Sequence, residues 1–235
     1  MKQTVFHFKQ FSVKHDKSGM QVGTDGVLLG SMATFPGQGR VLDVGCGSGL
    51  ISLMLAQRYP NLSIDAIDVD KHSAKQAREN IDASPWNKRI KVLHTSLQDY
   101  DNGQYHGIIS NPPFYRNALH PTSSTRKQSK HAESLPLTSI FEFANTYLHP
   151  DGVLWLIYPF MDKGFLYKQA SAYNFHIASQ YFIKPNIHKA AHRLVVAFVR
   201  TKTTPDTHAF AIELSERHSH TWQYKRLCRI FLLRV

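Results

Sequence analysis

Asn111-Pro112-Pro113-Phe114 closes the apolar run "HGIISN" (106–111). Two prolines cannot donate ladder hydrogen bonds, so a strand must stop there. The residues left at its end form a chemical set. An exocyclic amine on a planar ring carries two N–H donors. The side-chain oxygen of Asn111 accepts one of them and the Pro112 carbonyl accepts the other. Fixing both hydrogens localises a nitrogen lone pair that the ring otherwise delocalises, and aims it at a methyl donor. The gain lies in orientation and in stabilising the nitrogen as it becomes cationic. Phe114 offers a flat face on which a base stacks. The competing structural reading is a Pro-Pro turn with Phe114 in the core.

A second set lies at "DVGCGSGL" (43–50), between a strand and a helix. Gly45, Gly47 and Gly49 allow a tight turn whose backbone N–H groups approach a ligand. Asp68 follows at the end of the next strand, where a doubly wound sheet aims an acid at ribose hydroxyls. Its structural alternative is to cap the following helix, a role for which Asp70 competes. The spacing is Gly-x-Gly-x-Gly rather than the dinucleotide pattern Gly-x-Gly-x-x-Gly. That points to a nucleoside without a pyrophosphate, and S-adenosylmethionine fits. Ser96 and Leu97, at the end of the third strand, would flank its adenine or be an ordinary strand end. Cys46 needs only to be small.

These sets demand a frame. From residue 40 apolar runs alternate with helical ones: strands at 40–46, 62–70, 89–97, 106–111, 152–158, 177–183 and 192–200, helices at 50–59, 71–84, 137–148 and 162–173. Such alternation predicts an α/β fold, Rossmann-like, with a seven-stranded mostly parallel sheet covered by helices on both faces. About ten residues without helical period join the last two strands, which predicts an antiparallel pair at one edge. Residues 1–39 read as an extension packed on a single domain over 40–235. Residues 115–134 form a long polar loop. In such a sheet, ligands bind outside the carboxyl ends of the strands. Asn111 and the glycine turn should therefore share one rim.

The chain of 235 residues carries 28 Lys+Arg against 17 Asp+Glu, a net charge of +11. That balance favours a polyanionic partner. Tyr115, Arg126, Lys127, Lys130 and His131 in the long loop, with Lys189 and Arg193 between the last two strands, are candidate RNA contacts. Lys225, Arg226, Arg229 and Arg234 form a further basic group. The longest apolar stretch, Val153–Met161, is far short of the roughly 20 residues that span a bilayer, and the N-terminus lacks a signal-peptide core. Two cysteines give neither a disulfide framework nor a metal spacing, so a reduced, cytoplasmic protein is expected. His188 and His192 are four residues apart but have no third ligand, so no metal is expected. Oligomeric state is not legible.

"DVGCGSG" with "NPPF" resembles the class I S-adenosylmethionine-dependent methyltransferases that modify planar amino groups. "FHFKQFSVKHDKSGMQVGTDGVLLG" (6–30) resembles the N-terminal signature of the bacterial tRNA1(Val) adenine-37 N6-methyltransferase family, a similarity running to about residue 200. The resemblance implies a seven-stranded sheet, S-adenosylmethionine as cofactor and an adenine in a tRNA anticodon loop. By matching positions it places Asp43, Gly45, Gly47 and Asp68 at the cofactor, with Thr24 and Asp25 near its methionine end. Asn111 would serve both the cofactor and the adenine, alongside Pro112 and Phe114. The family shows an arginine-rich stretch where this chain has "TRKQSKHA", and the tail "WQYKRLCRIFLLRV" is more basic and poorer in tyrosine. Two other functions share parts of the pattern. Protein glutamine-N5 methyltransferases use an Asn-Pro-Pro-aromatic turn, but their aromatic is typically tyrosine and a helical domain precedes the sheet. A non-catalytic RNA-binding module would not need Asn111 or the glycine turn.

Overall fold

Apolar residues that alternate across a strand can serve two cores at once, and the central strands here do so. The computed structural model describes residues 5–16, 22–113 and 135–234. In β3 (Gln38–Val44), Val41 belongs to one core and Leu42 to the other; in β6 (Tyr105–Ser110), Ile109 and Ile108 divide likewise. Both faces of the sheet are therefore covered. One face is packed by α1 (Thr24–Met32), α2 (Leu50–Arg58), α3 (Lys71–Asp82) and α6 (Trp222–Cys228). The other is packed by α4 (Leu137–Tyr147) and α5 (Lys163–Ala172).

The remaining strands are β4 (Asn61–Asp68), β5 (Ile90–His94), β7 (Leu148–Pro159), β8 (His176–Asn186), β9 (Arg193–Val199) and β10 (Asp206–Glu213). Their order is β10-β8-β9-β7-β6-β3-β4-β5. The mostly parallel α/β expectation holds, and β8 and β9 pair antiparallel as expected. Among the described residues the sheet has eight strands instead of seven, and that pair is not at the edge. β10 adds parallel to β8 and takes the edge, while β9 inserts between β8 and β7. The alternation of His208, Phe210 and Ile212 was the available signal for β10.

Residues 1–39 contain more regular structure than the sequence reading assigned them. β1 (Val5–His7) and β2 (Ser12–Lys14) form a separate hairpin, and α1 lies against α2. Asn80, buried in α3, clamps the hairpin: its amide donates to Lys14 O at 2.8 Å and Ser48 O at 2.9 Å, and accepts from Lys14 N at 2.9 Å. One side chain thus joins β2 to the glycine turn.

Gly107 in β6 is required by close approach. A Cβ there would lie 2.2 Å from the Phe35 ring. Gly107→Ala should destabilise the fold by roughly 1–3 kcal/mol, the cost of overpacking. Urea unfolding measures it, and adding Phe35→Leu should recover part of the loss.

Candidate active site

Register fixes the relation between the two chemical sets. β3 and β6 are adjacent and parallel, with Val44 opposite Ser110. Gly45 and Asn111 each follow by one residue, so they stand at the same level on neighbouring strands, about 5 Å apart. This is the common rim that the proline turn and the glycine turn were expected to share.

Gly45, Gly47 and Gly49 all have φ in the left-handed region, at 71°, 56° and 81°. A side chain at any of the three would be strained. A Cβ at Gly45 or Gly47 would meet nothing within 4 Å, so the space above the turn is open. The turn is held from β4. Gly45 N and Cys46 N donate to Ile67 O at 2.9 and 3.0 Å, and Gly47 N donates to Asp68 Oδ2 at 2.8 Å. Asp68 Oδ1 accepts from Asp70 N at 2.8 Å. Asp70 is the cap of α3, accepting from Ser73 N, so the capping role falls to Asp70 and not to Asp68. Burial raises the Asp68 carboxyl above its ordinary value, against the lowering effect of these two N–H bonds. Each of its oxygens retains acceptor capacity.

Asp43 is fully buried at the end of β3. Its Oδ2 accepts from Ser52 N at 3.1 Å and Ser52 Oγ at 2.6 Å, and its Oδ1 has no hydrogen-bond partner among the described residues. Desolvation raises its pKa to about 7, although the Ser52 bonds oppose the shift. The folded state therefore prefers the neutral acid. The resulting penalty is absent below about pH 4, grows as pH rises and is complete above about pH 7. Asp43→Asn removes that dependence. Between pH 5 and pH 8 it should gain on the wild type by roughly 2–3 kcal/mol. Paired urea melts at the two pH values check it, and parallel pH profiles would contradict the burial argument.

Asn111 presents a second unsatisfied acceptor, its Oδ1, which is shielded from solvent and has no partner among the described residues. Buried polar atoms are rarely left so. Pro112 is buried beside it and Pro113 is exposed. Ser110 anchors the strand end through its hydroxyl, which donates to Val44 O at 2.8 Å.

At the far side of the rim, Ser96 stands two residues past β5. Its hydroxyl donates to Asp99 at 2.7 Å and accepts from Asp99 N at 3.1 Å. A ligand beside Ser96 therefore meets chiefly its backbone. Leu97 is buried in the core of the α4–α5 face. Thr24 and Asp25 form the first turn of α1. Asp25, expected at the cofactor, and Arg193, expected at RNA, meet each other: Arg193 Nε donates to Asp25 Oδ2 at 2.8 Å. This bond ties the start of α1 to the start of β9. Lys189 is exposed in the β8–β9 connection at the same rim, its N–H bonded to Asn186 Oδ1 at 3.0 Å. Phe114, Tyr115, Arg126, Lys127, Lys130 and His131 lie outside the described residues. Sequence reading missed Ser52, Asn80 and the Arg193–Asp25 pair. Only Ser52, in the first turn after the glycines, had a local signal.

His188 and His192 have separate partners, Ser215 Oγ and Ile183 O. Among the described residues no helix is long and apolar enough to cross a membrane.

Comparison with known proteins places this frame in a class. A family model described as "Methyltransferase small domain" matches residues 15–163. Solved structures share the fold: a predicted O-methyltransferase of Agrobacterium tumefaciens superposes with a TM-score of 0.67 at 18% identity, covering 88% of this chain and 96% of that one. A ribosomal protein L11 methylase of Lactobacillus delbrueckii gives 0.57 at 18%, covering 81% and 84%. The chain is thus a member of the small-domain methyltransferases.

Within them it belongs to the tRNA1(Val) (adenine(37)-N6)-methyltransferase family. The relative so named in Pectobacterium carotovorum is 36% identical over 97% of this chain and 93% of its own length. Those of Flavobacterium johnsoniae and Parabacteroides distasonis are also 36% identical, over 98% and 100% of this chain and the whole of their own.

Proposed function

We propose that this protein transfers a methyl group from S-adenosylmethionine to the N6 amine of an adenine in tRNA, adenine 37 of tRNA1(Val) by its family membership, and does so in the cytoplasm. The observation that carries the reading is the unpartnered Asn111 oxygen, one strand from an open glycine turn. The residues suit the cofactor: open space over Gly45 and Gly47 admits a nucleoside, Asp68 keeps acceptor capacity for ribose hydroxyls, and the Asp43 oxygen lacks a donor. When bound, the cofactor supplies an electrophilic methyl group on a positively charged sulfur.

The chain's own groups supply the rest. Asn111 Oδ1 and the Pro112 carbonyl each accept one N6 hydrogen and turn the nitrogen towards the glycine turn. Methyl transfer would place positive charge on N6, and Asn111 Oδ1 and the Pro112 carbonyl would then hold its two N–H groups more strongly than in the ground state, which lowers the barrier. One of those two protons would afterwards pass to water, leaving the neutral methylated amine. Phe114 supports the adenine ring face. Arg193 holds Asp25 and the first turn of α1 at the rim. Lys189, with Tyr115, Arg126, Lys127, Lys130 and His131, grips phosphates. An anticodon-loop base costs little to unstack.

The test is incubation of the protein and labelled cofactor with total tRNA from a strain lacking it, followed by nucleoside analysis. N6-methyladenosine should carry the label, and a tRNA1(Val) transcript with guanine at position 37 should take none. Label in another nucleoside, or in protein glutamine, would overturn the proposal.

A further inference from the structure

The antiparallel half of the sheet ends in a surface that the chemistry at Asn111 does not use. β7 continues past its pairing with β6: Ser110 lies opposite Leu156, while Ile157, Tyr158 and Pro159 run on against β9. Phe160 therefore stands roughly 10 Å beyond the level of Asn111, one strand over. There Phe160 and Phe182 of β8 meet edge to face, with centroids 5.1 Å apart at 74°. Lys163 Nζ lies 3.9 Å from the Phe160 centroid and 5.6 Å from that of Phe182. Both rings are only half-buried, and Met161, next to Phe160 in the chain, is 87% exposed. The Phe160 N–H donates to His192 O at 3.1 Å, which fastens this ledge to the connection carrying Lys189.

Flat aromatic faces beside a mobile cation are the means by which proteins hold single-stranded nucleic acid. A purely structural pair would be drawn into the α4–α5 core, which these rings only border. Exposed Lys189 nearby and the net charge of +11 favour a polyanion over an apolar protein partner.

We propose that Phe160, Phe182 and Lys163 form a stacking subsite for a nucleotide flanking the target adenine. The neighbouring base lies against Phe160, and the Lys163 ammonium moves from the ring to a phosphate. The RNA strand then leaves Asn111 outward over β7. This inference rests on the RNA reading above and extends it.

The experiment uses a stem-loop RNA bearing the target adenine in its loop, and the same RNA with an abasic nucleotide on either side. With the wild type, one of the two abasic RNAs should raise KM about tenfold. Phe160→Leu should raise KM for the intact RNA by a similar factor, leaving kcat and the cofactor KM unchanged, while Phe160→Tyr restores it. Combining Phe160→Leu with that abasic RNA should cost little more than either alone, since both remove one contact. Lys163→Gln should reduce the salt slope of binding by about 0.7, one single-strand phosphate. Additive losses, or an unchanged KM in Phe160→Leu, would overturn the subsite while methyl transfer to the intact RNA persists. If the wild type transfers nothing to the intact RNA, the RNA reading falls and the subsite falls with it.

Discussion

Asn111→Ala should lower kcat for methyl transfer by roughly 10²–10³-fold, the range seen when one preorganised partner of a developing charge is removed. Cofactor affinity should stay within about twofold of the wild type, because the glycine turn is held by Ile67 O and Asp68 and not by Asn111. The two effects separate because Asn111 acts on the amine. Its oxygen has no partner among the described residues, so the alanine variant breaks no hydrogen bond to that oxygen, and a thermal melt matching the wild type checks that it folds. Single-turnover rates and calorimetric titration with the cofactor measure the two quantities independently. Loss of cofactor binding together with rate would assign Asn111 a different role.

Asp68→Ala should act in the opposite way, weakening cofactor binding by about 100-fold while the rate at saturating cofactor falls much less. Removing the carboxylate takes away acceptors for the ribose hydroxyls and also strands the N–H groups of Gly47 and Asp70. Charge-assisted bonds of this kind are worth about 1.5–3 kcal/mol, and an orphaned donor adds to the loss. Asp68→Asn keeps one acceptor oxygen and should fall between the two. Because burial raises the Asp68 carboxyl above its usual range, wild-type cofactor affinity should also decline earlier on acidification than an exposed aspartate would predict. An unchanged cofactor KM in Asp68→Ala would remove this residue from ribose recognition.

The glycine turn, Asp68 and the proline turn were legible because each is a local event. A left-handed backbone needs glycine, a strand cannot run through two prolines, and an acid at a strand end needs only its neighbours to be placed. Their meeting at one rim was also legible, since parallel strands joined by crossovers must present their carboxyl ends together. Asp68 and Asp70 could not be separated on sequence, because both are acids beside a helix start. Hydrogen bonding to Gly47 distinguishes them.

The amino-acid sequence by itself determined the α/β frame, the open glycine turn and the amide beside it, because periodicity and backbone sterics act within a few residues. Only the tertiary structure decided that β10 lies outside β8, that Asn80 binds the N-terminal hairpin to the glycine turn, and that Arg193 reaches Asp25 across 168 residues of chain. Alternation of polar and apolar residues shows that a strand exists and which side it buries. It carries no record of which strand lies next to it or which distant side chain a charge will meet; those follow from how the layers close around their two cores.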